Sequence, residues 1–400
     1  MKVAIVSNFF PPEAQGGAEI YAADLARELA SRGLAIEVFT STRFRERTER
    51  QGNLTVRFFR SVPPAPRLTS DILGYNFNPW ARRLIRSLAA GKHDLVHIHN
   101  INSSIMLSPL LSAIRRPAVC HVHDHWPICY RGVMFDTWHE TPCVSARPYC
   151  CFNPGRRLIG AANLALRTRL IQRFERSVER FVVPSQHMLQ ALVTRGFTQP
   201  EKIRQVRLGV DLSKLTSESA SRGNDFLFVG RLMRYKNPQF PIELLSRDHL
   251  DPKVSFRILG AGPDGVLRSL ANLPESQKRR VHVLGHRPRE AIFDELSRAR
   301  GLIIPSSIPE NSPLVAYEAL ASGTPVLCSD LGGTRELVRE SKAGEILSVQ
   351  DLPSWERAIN ALMDGRFWEV SRRASNFGRD SLGIAKSADG VMAVYNEIAA

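Results

Sequence analysis

Two glutamates in the second half of the sequence are spaced to contact one elongated ligand. Glu310 lies in a polar loop that follows a short apolar run, and Glu318 lies farther along the chain. The residues between them predict a helix from about Pro313 to Ala321, which places Glu318 about two turns inside it. Two carboxylates on this element could contact different hydroxyls of one ligand. The spacing leaves open that Glu318 is an ordinary exposed helical glutamate.

The start of that helix is a second source of groups that could bind an anion. Pro313 fits a first helical turn, and Gly323 fits the position just past a helix end. The first N–H groups of a helix have no partner inside the helix, and the helix dipole favours negative charge there. We therefore expect an anion to be bound by the backbone N–H groups of Ser312, Leu314 and Val315.

Two cations follow an earlier apolar run in the same half of the chain. Arg231 comes directly after Gly230 at the end of the run Phe226–Val229, and Lys236 follows it closely. A guanidinium forms bidentate hydrogen bonds and an ammonium acts as a mobile point charge, so the pair suits a diphosphate. Taken alone, the pair could also be exposed and bind no ligand.

A glycine pair in the first half could approach a phosphate. Gly16 and Gly17 follow the first apolar run and precede a predicted helix over Glu19–Arg32. Glycines allow close backbone approach, and a helix start adds unpaired N–H groups. The signal is weak alone. It is not the G-x-G-x-x-G fingerprint, which argues against a nicotinamide enzyme.

Histidines and cysteines near the middle of the first half raise the question of a metal. Strand alternation places His121, His123 and His125 on one side, where three imidazoles could bind zinc. One functional histidine is the favoured interpretation, with structural packing as a further alternative. Four cysteines share one Pro-rich irregular segment without paired C-x-x-C spacing, so a structural metal or a cross-linked loop is the less favoured interpretation. They are Cys129, Cys143, Cys150 and Cys151.

Length and charge narrow the class of protein. Four hundred residues exceed what a single core usually supports, which predicts two domains. No stretch approaches 18 uninterrupted apolar residues, so we expect no transmembrane helix. Residues 1–205 carry a net charge of +13 out of the total of +15, which suggests an anionic partner such as a membrane surface or a phosphorylated acceptor. An arginine-rich solvated surface is the alternative.

One predicted helix concentrates this charge. From Arg156 to Phe181, apolar residues recur at intervals of three and four, which is typical of an amphipathic helix. The pattern fits contact with a membrane surface, although a helix packed on the core with a solvated basic face is the favoured interpretation. The arginines between the apolar positions are Arg167, Arg169, Arg173, Arg176 and Arg180.

Short apolar runs alternate with helix-period segments along the whole chain. This alternation predicts an α/β protein with parallel sheets, in two doubly wound units. The change-over lies near Gln205–Leu215, ahead of a polar stretch that is typical of a linker. The runs are Val3–Val6, Ile36–Thr40, Leu54–Phe59, Leu95–Ile98, Ala118–Val122 and Phe181–Pro184, then Phe226–Val229, Ser255–Leu259, Val281–Leu284, Gly301–Pro305 and Pro325–Cys328.

With these motifs the chain resembles glycosyltransferase family 4, whose members are retaining enzymes of the GT-B fold. The resemblance covers nearly the whole length. Its specific part is the Glu310–Glu318 segment followed by Ala-x-Gly-x-Pro-Val, whereas the glycine loops are not specific. The resemblance implies two facing Rossmann-like domains with an interdomain cleft. Residues 1–204 would form the acceptor-side domain, residues 205–380 the nucleotide-sugar domain, and residues 381–400 a helix that crosses back to the first domain.

The resemblance also implies a role for each candidate residue of the second domain. Arg231 and Lys236 would clamp the donor diphosphate. Glu310 would lie near the transferred sugar, and Glu318 would bind the ribose hydroxyls of the donor. The helix start, with Ser312 and the N–H groups of Leu314 and Val315, would hold the distal phosphate.

In the first domain the resemblance assigns Gly16 and Gly17 to the donor phosphates. It assigns His123 to the donor sugar or the leaving phosphate. Retention of configuration would proceed by front-side attack. The sequence contains no Asp-x-Asp motif, so we expect no metal requirement and no cofactor beyond the sugar donor.

The implied activity is metal-independent transfer of a hexosyl group from a nucleoside diphosphate sugar to a saccharide or lipid-linked acceptor. We expect a role in cell-envelope polysaccharide or glycolipid synthesis, with no nucleic-acid partner. Met1–Val6 reads as a buried strand rather than a secretion signal. We expect a cytoplasmic protein, with peripheral contact at the inner face of the cytoplasmic membrane through residues 156–180. The alternatives are an epimerase or phosphorylase on the same fold and an inactive scaffold in a glycan assembly complex.

Overall fold

The computed structural model describes residues 1–14, 16–62, 77–101, 105, 107–136, 141–143, 157–215, 222–262 and 265–399. Cys150, Cys151 and Arg156 lie outside these residues. The chain divides into two compact units: unit 1 comprises Met1–Gly209 with Ile384–Ala400, and unit 2 comprises Val210–Gly383. The sequence prediction divided the chain at 204/205 and 380/381, a few residues earlier in each case.

Unit 1 contains an eight-stranded sheet and a separate two-stranded sheet. The strands are β1 (Lys2–Ser7), β2 (Ala35–Ser41), β3 (Arg47–Gln51), β4 (Leu54–Phe59), β5 (Leu95–Ile98), β6 (Ala118–His121), β7 (Phe135–Asp136), β8 (Thr141–Pro142), β9 (Arg180–Val183) and β10 (Ile203–Gln205). The large sheet has the order β10-β9-β6-β5-β1-β2-β4-β3, and β7 pairs with β8. All neighbours in the large sheet are parallel except β3 and β4.

Helices connect the parallel strands of unit 1 and bury an apolar face against the sheet. They are α1 (Gly17–Ser31), α2 (Arg82–Ala90), α3 (Leu107–Leu111), α4 (Arg157–Arg176) and α5 (Gln186–Thr194). In α1 apolar side chains recur every four residues on one face, and Tyr21, Leu25 and Leu29 on that face are fully buried. Parallel strands require crossovers of this length, which explains the regular alternation in the sequence.

Unit 2 contains a six-stranded parallel sheet in the order β13-β12-β11-β14-β15-β16. Its strands are β11 (Asp225–Val229), β12 (Ser255–Leu259), β13 (Val281–Gly285), β14 (Gly301–Ile304), β15 (Val326–Ser329) and β16 (Gly344–Leu347). Its helices are α6 (Phe240–Ser246), α7 (Gly265–Ala271), α8 (Glu275–Lys278), α9 (Arg289–Arg298), α10 (Leu314–Ala321), α11 (Thr334–Ser341), α12 (Leu352–Met363) and α13 (Phe367–Ser381).

The order of the strands fixes where a ligand can bind in each unit. In unit 2 the chain builds outward from β11 through β12 to β13, and then returns to the other side of β11 with β14. The order reverses in the same way in unit 1 between β1 and β5. In open α/β sheets, ligands bind beyond the carboxyl ends of the strands at such a reversal. The loops after β1, β5, β11 and β14 are therefore the candidates for a site.

The last helix of the chain, α14 (Ile384–Ala399), belongs to unit 1. Its Ser387 Oγ lies 2.7 Å from the hydroxyl of Tyr21 on α1 and donates to the carbonyl of Arg207 at 2.8 Å. The hydroxyl of Tyr395 lies 2.6 Å from Nδ1 of His97 on β5. Unit 1 is therefore completed by residues from the far end of the sequence.

The predicted basic helix is shorter than expected, and part of its charge is buried. Helix α4 ends at Arg176, so Arg180 lies on strand β9 instead of the helix, where it pairs with Glu397 at 2.8 Å. Arg167 is 2% exposed and donates to the carbonyl of Trp126 at 2.8 Å. Three of the five predicted arginines are exposed on the helix: Arg169, Arg173 and Arg176. Among the helices that the structure describes, none has the length and apolar content needed to cross a bilayer.

Candidate functional site

The loops after β11 and β14, the two strands at the reversal in unit 2, are joined by hydrogen bonds. The carbonyl of Tyr235 accepts from the backbone N–H of Ser307 at 2.9 Å and from the hydroxyl of the same serine at 3.2 Å. Parallel pairing of β11 with β14 brings both loops to one edge of the sheet. The backbone therefore sets the separation of the side chains that the two loops carry.

Those loops bring Lys236 and Glu310 together. The ammonium of Lys236 donates to Oε2 of Glu310, and the hydroxyl of Ser306 donates to Oε1 of the same carboxylate. The Glu310 side chain is 10% exposed and the Lys236 side chain 21%. Both carboxylate oxygens of Glu310 are thus held, which fixes its orientation at the sheet edge. Ser306 was not among the predicted site residues.

The loop after β15 contacts the backbone of Glu310. Gly333 donates its N–H to the carbonyl of Glu310 at 2.7 Å. A Cβ atom at Gly332 would lie 2.1 Å from the carbonyl oxygen of Glu310, and Gly332 has a φ of +70°. Both the left-handed backbone and the contact distance require glycine at this position. The position of the Glu310 backbone therefore depends on a residue that carries no functional group.

Arg231 lies in the first of the two loops, directly after β11. A Cβ atom at Gly260 would lie 1.8 Å from the carbonyl oxygen of Gly230, so the ends of β11 and β12 approach very closely there. The N–H of Leu232 donates to the carbonyl of Ala261 at 3.0 Å, which holds the loop against the next strand. The Arg231 side chain is exposed, and within the described part of the chain no carboxylate pairs with it.

The start of α10 leaves helix N–H groups without a side-chain cap. The helix begins at Leu314, and Pro313 occupies the position before it with an extended backbone, whereas the sequence predicted Pro313 in the first turn. No side chain caps this end. The hydroxyl of Ser312 lies 3.1 Å from that of Tyr317, and Val315 is half-buried. The N–H of Ala316 donates to the carbonyl of Pro313 at 2.9 Å, whereas the N–H groups of Leu314 and Val315 precede this first hydrogen bond of the helix and suit an anion.

Glu318 on α10 is buried, so the interpretation as an exposed helical glutamate is wrong. It is 5% exposed, and Nε of Arg289 donates to its Oε1 at 2.9 Å. Arg289 is the first residue of α9 and was not predicted as a site residue. Its guanidinium lies over the ring of Phe293 at 5.4 Å. The two carboxylates predicted for the site, at positions 310 and 318, are therefore each bonded to a cation.

In unit 1 the predicted glycine pair lies at the start of α1. Gly17 is the first helical residue and Gly16 the cap, with φ −163° and ψ 176°. This is extended backbone that any residue adopts, so the conformation of Gly16 does not require glycine. A Cβ atom there would lie 3.4 Å from Oε2 of Glu19, an ordinary contact.

His123 follows β6 and packs on other imidazoles. Its ring stacks on that of His121 with centroids 4.5 Å apart and planes 3° apart, and its Nε2 lies 3.0 Å from Nδ1 of His99. Burial lowers the pKa of His123, and burial together with His123 lowers the pKa of His97 to about 3. Burial likewise holds the pKa values of His99 and His121 well below the usual range. These imidazoles are neutral at neutral pH.

The predicted grouping of His121, His123 and His125 is wrong for His125. Strand β6 ends at His121, and the chain turns where Asp124 Oδ1 accepts from the N–H of Trp126 at 2.8 Å. His125 therefore leaves the alternating pattern, and its Nε2 lies 3.4 Å from Nε2 of His187. Among the residues that the structure describes, His97, His99 and His121 form a cluster with the spacing of metal ligands instead.

The family models and relatives agree with the motifs. A family model described as Glycosyltransferase Family 4 matches residues 15–214, and one described as Glycosyl transferases group 1 matches residues 214–381. A D-inositol 3-phosphate glycosyltransferase of Acidothermus cellulolyticus is 27% identical over 420 residues, covering 96% of this chain and 86% of that protein. One from Nocardia farcinica is 28% identical over 402 residues, covering 91% and 82%.

Solved structures show the fold. A sucrose-phosphate synthase from Thermosynechococcus elongatus has a TM-score of 0.76 at 18% identity, covering 99% of this chain and 98% of that one. Anabaena Alr3699/HepE, solved in complex with UDP-glucose, has a TM-score of 0.70 at 18% identity, covering 99% and 100%. Two α/β units, each with a sheet of mainly parallel strands, and the likeness to these structures establish the GT-B fold. The chain belongs to glycosyltransferase family 4, the bacterial-type group 1 glycosyltransferases, as its motifs indicated.

Proposed function

We propose that this glycosyltransferase moves a hexosyl group from a nucleoside diphosphate sugar to a saccharide or lipid-linked acceptor, with retention of configuration and without a metal. The observation that carries the proposal is the meeting of Lys236 and Glu310 at the strand reversal of unit 2. A cation bonded to a held carboxylate, with an exposed arginine in the same loop as the cation, suits a diphosphate joined to a sugar. The UDP-glucose bound to the Anabaena protein supports the same donor class.

The charges of unit 2 would act on the leaving group. As the diphosphate departs, negative charge grows on its oxygens, and fixed cations and N–H dipoles stabilise that charge. Arg231 is exposed and unpaired among the described residues, so it is the cation that can bind the donor without breaking an ion pair. Lys236 would contact the diphosphate while keeping Glu310 in place. Leu314 and Val315, with Ser312 before them, would supply the helix start for the distal phosphate.

The reaction would exchange two bonds at the anomeric carbon. The bond from that carbon to the diphosphate oxygen breaks, and the electron pair leaves with the diphosphate. The acceptor oxygen attacks from the same face, and its proton passes to the departing phosphate oxygen. Glu310 would orient the sugar through its hydroxyls, and Glu318 would accept hydrogen bonds from the ribose. The geometry of held carboxylates supports positioning roles for both.

Unit 1 would contribute contacts without charge. Gly16 and Gly17 would present backbone N–H groups to the donor phosphates. His123 would contact the donor sugar or the leaving phosphate by a hydrogen bond, because burial keeps its imidazole neutral. Nδ1 of His99 lies 3.0 Å from Nε2 of His123. This contact would fix which nitrogen of His123 carries the proton.

The basic surface of unit 1 supports an acceptor at an anionic membrane. A groove combines exposed arginines with the 68% exposed ring of Phe44. It is lined by Arg43, Arg45, Arg60 and Arg83 together with Glu46, whose carboxylate pairs with Arg83 at 2.7 Å. Helix α4 adds a basic face beside Leu166, which is 47% exposed. Arginine with exposed apolar side chains suits peripheral binding at the cytoplasmic membrane. We propose that location, and a role in cell-envelope polysaccharide or glycolipid synthesis.

The donor class can be tested by thermal stabilisation with UDP-, GDP- and ADP-sugars, because a ligand that binds only the folded state raises the melting temperature. The donor that binds is then incubated with sugar, inositol phosphate and polyprenyl-diphosphate-linked acceptors in the presence of a chelator. We expect nucleotide release that depends on an acceptor hydroxyl, and a product with the anomeric configuration of the donor. Release with phosphate or water alone, or an inverted product, would overturn the proposal.

A further inference from the structure

Three histidines share one face of the unit 1 sheet. Strands β5 and β6 pair in parallel with His97 opposite Val119, so alternation places His97 and His99 on the same face as His121. Ring centroids are 4.2 Å apart for His97 and His99, 5.4 Å for His99 and His121, and 5.8 Å for His97 and His121. These three rings are fully buried, and Tyr21 lies against the cluster, with its centroid 5.1 Å from that of His121.

The ring nitrogens of this cluster fall into two groups. One nitrogen of His97 and one of His99 are held, by the Tyr395 hydroxyl at 2.6 Å and by Nε2 of His123 at 3.0 Å. Nε2 of His97, Nε2 of His99 and both nitrogens of His121 have no hydrogen-bond partner in the described part of the structure. A buried polar atom without a partner costs about 1–3 kcal/mol, so four together point to a missing occupant.

We propose that His97, His99 and His121 bind one transition-metal ion between strands β5 and β6. One ring nitrogen from each residue lies within 4.8 Å of those of the other two. Zinc–nitrogen bonds of about 2.0–2.1 Å place tetrahedral ligands roughly 3.3 Å apart, so the three nitrogens would move closer together when the ion binds. An all-imidazole ligand set suits zinc, copper or nickel rather than magnesium or calcium.

The held nitrogens support a metal in particular. A histidine that binds a metal commonly donates its other ring N–H to a neighbouring acceptor, which fixes the tautomer and aims the lone pair. The Tyr395 oxygen and the His123 nitrogen occupy those acceptor positions for His97 and His99. The ion would be structural, because it lies in the interior of unit 1 and uses none of the charged groups of unit 2.

A single buried water is the competing occupant, because a water can also take two to four polar partners. A metal ion is charged, and three neutral imidazoles do not neutralise that charge. A water molecule is uncharged. The two occupants differ in what can be measured. An ion is retained stoichiometrically, is removed by a chelator and stabilises the fold when restored, whereas a water does none of these.

The test uses the full chain carrying an affinity tag without histidine. Element analysis after purification should find about one transition-metal ion per chain, and stripping with a chelator should lower the melting temperature. Adding Zn²⁺ back should restore that temperature, and Co²⁺ should give the visible absorption of a tetrahedral site. His97→Phe and His121→Phe should lose the metal. The control pair His125→Phe and His187→Phe removes two neighbouring histidines and should keep it.

Failure of the metal-site proposal can be distinguished from failure of the proposed transfer reaction. Wild-type protein that retains no metal, and that Zn²⁺ does not stabilise, would overturn the site even if the two cluster variants fail to fold. Equal metal content in His121→Phe and in the control pair would do the same. Transfer measured well below both melting temperatures should be unchanged by chelation, so loss of the site leaves the assignment of the donor groups intact.

Discussion

Arg289 donates a hydrogen bond from Nε to Oε1 of Glu318 at 2.9 Å, with side chains only 13% and 6% exposed. Arg289 is the first residue of α9, which follows β13, and Glu318 lies one turn inside α10, which follows β14. Arg289 is a positioning residue for the carboxylate that we assign to the donor ribose. Removing Arg289 would leave the Glu318 carboxylate buried without the guanidinium that is bonded to it.

Arg289→Ala should therefore lower the free energy of unfolding by about 3–5 kcal/mol, because breaking a buried pair is costly. It should also raise the KM for the donor. The double variant Arg289→Met with Glu318→Gln should recover much of the stability while donor binding stays weak. Thermal unfolding and donor titration check both. The exposed pair Arg373 and Glu369 is the control, where a single substitution should cost about 0.5 kcal/mol.

Arg231→Ala should lower kcat by about 100-fold or more without changing the fold, because the guanidinium is exposed and stabilises charge only when the diphosphate leaves. Circular dichroism and initial rates check this. Arg372→Ala, an exposed arginine on α13, should leave the rates unchanged. Near-wild-type turnover in Arg231→Ala would remove that residue from the proposed clamp.

Gly332→Ala should reduce transfer although it changes no functional group. The new Cβ would lie 2.1 Å from the carbonyl oxygen of Glu310 at a left-handed φ, so the backbone carrying Glu310 must shift. We expect destabilisation of about 1–3 kcal/mol and a fall in kcat. The matched control is Gly365→Ala, where nothing lies within 4 Å of the added atom. Equal activity of the two variants would contradict the supporting role of the 332 loop.

Glu37 predicts a pH dependence of stability. Burial alone would raise its pKa, but hydrogen bonds from His93 and Lys2 and attraction by Arg57 outweigh it and lower the pKa to about 2. The unfolded value is 4.5, so the stabilisation is present above pH 4.5 and is lost as the pH falls from 4.5 towards 2.

Glu37→Gln removes this contribution, so the variant should melt below wild type at pH 7 and differ less at pH 3.5. Scanning calorimetry at the two pH values measures the difference. Glu369→Gln, at an exposed position, is the control and should follow wild type at both. A constant gap between Glu37→Gln and wild type across this range would be inconsistent with the lowered pKa.

Vesicle sedimentation tests the membrane surface of unit 1. Replacing Arg169, Arg173 and Arg176 by glutamine should weaken binding to vesicles containing anionic lipid by about 100-fold, since each arginine near such a surface contributes about 1 kcal/mol. Phe44→Ser should weaken it further. Trp368→Ser removes another exposed ring, 54% exposed, from unit 2 and should have no effect. Binding to neutral vesicles by all variants alike would argue against this surface.

The predicted strands are confirmed because buried parallel strands are continuous apolar runs, and each run coincides with a strand to within one residue at either end. Strand β3 was missed because Arg47–Gln51 is polar and charged. It pairs antiparallel at the sheet edge, where charge discourages pairing with other chains. Periodicity detects the interior of a sheet better than its edges.

The partners of the site residues were harder to predict than the residues themselves. Glu318 lies among Leu, Val, Ala and Tyr over the whole of α10, and a lone carboxylate in an apolar helix could have been taken as buried. Arg289 resembles any arginine at a helix start, so the sequence gives no sign of its distant partner. His97 lies on buried strand β5 and His99 is the residue directly after it, two positions on, so alternation predicts that both side chains share one face. The prediction for His121, His123 and His125 did not use this pattern.

Because α14 belongs to unit 1, this unit is complete only after the whole chain has been synthesised. The Tyr395 hydroxyl on His97 and the Ser387 hydroxyl beside Tyr21 come from residues translated only after the whole of unit 2. The amino-terminal unit therefore emerges first from the ribosome but is completed last. Unit 2, whose two ends meet where the N–H of Val210 bonds the carbonyl of Leu382 at 2.8 Å, has all its parts before then.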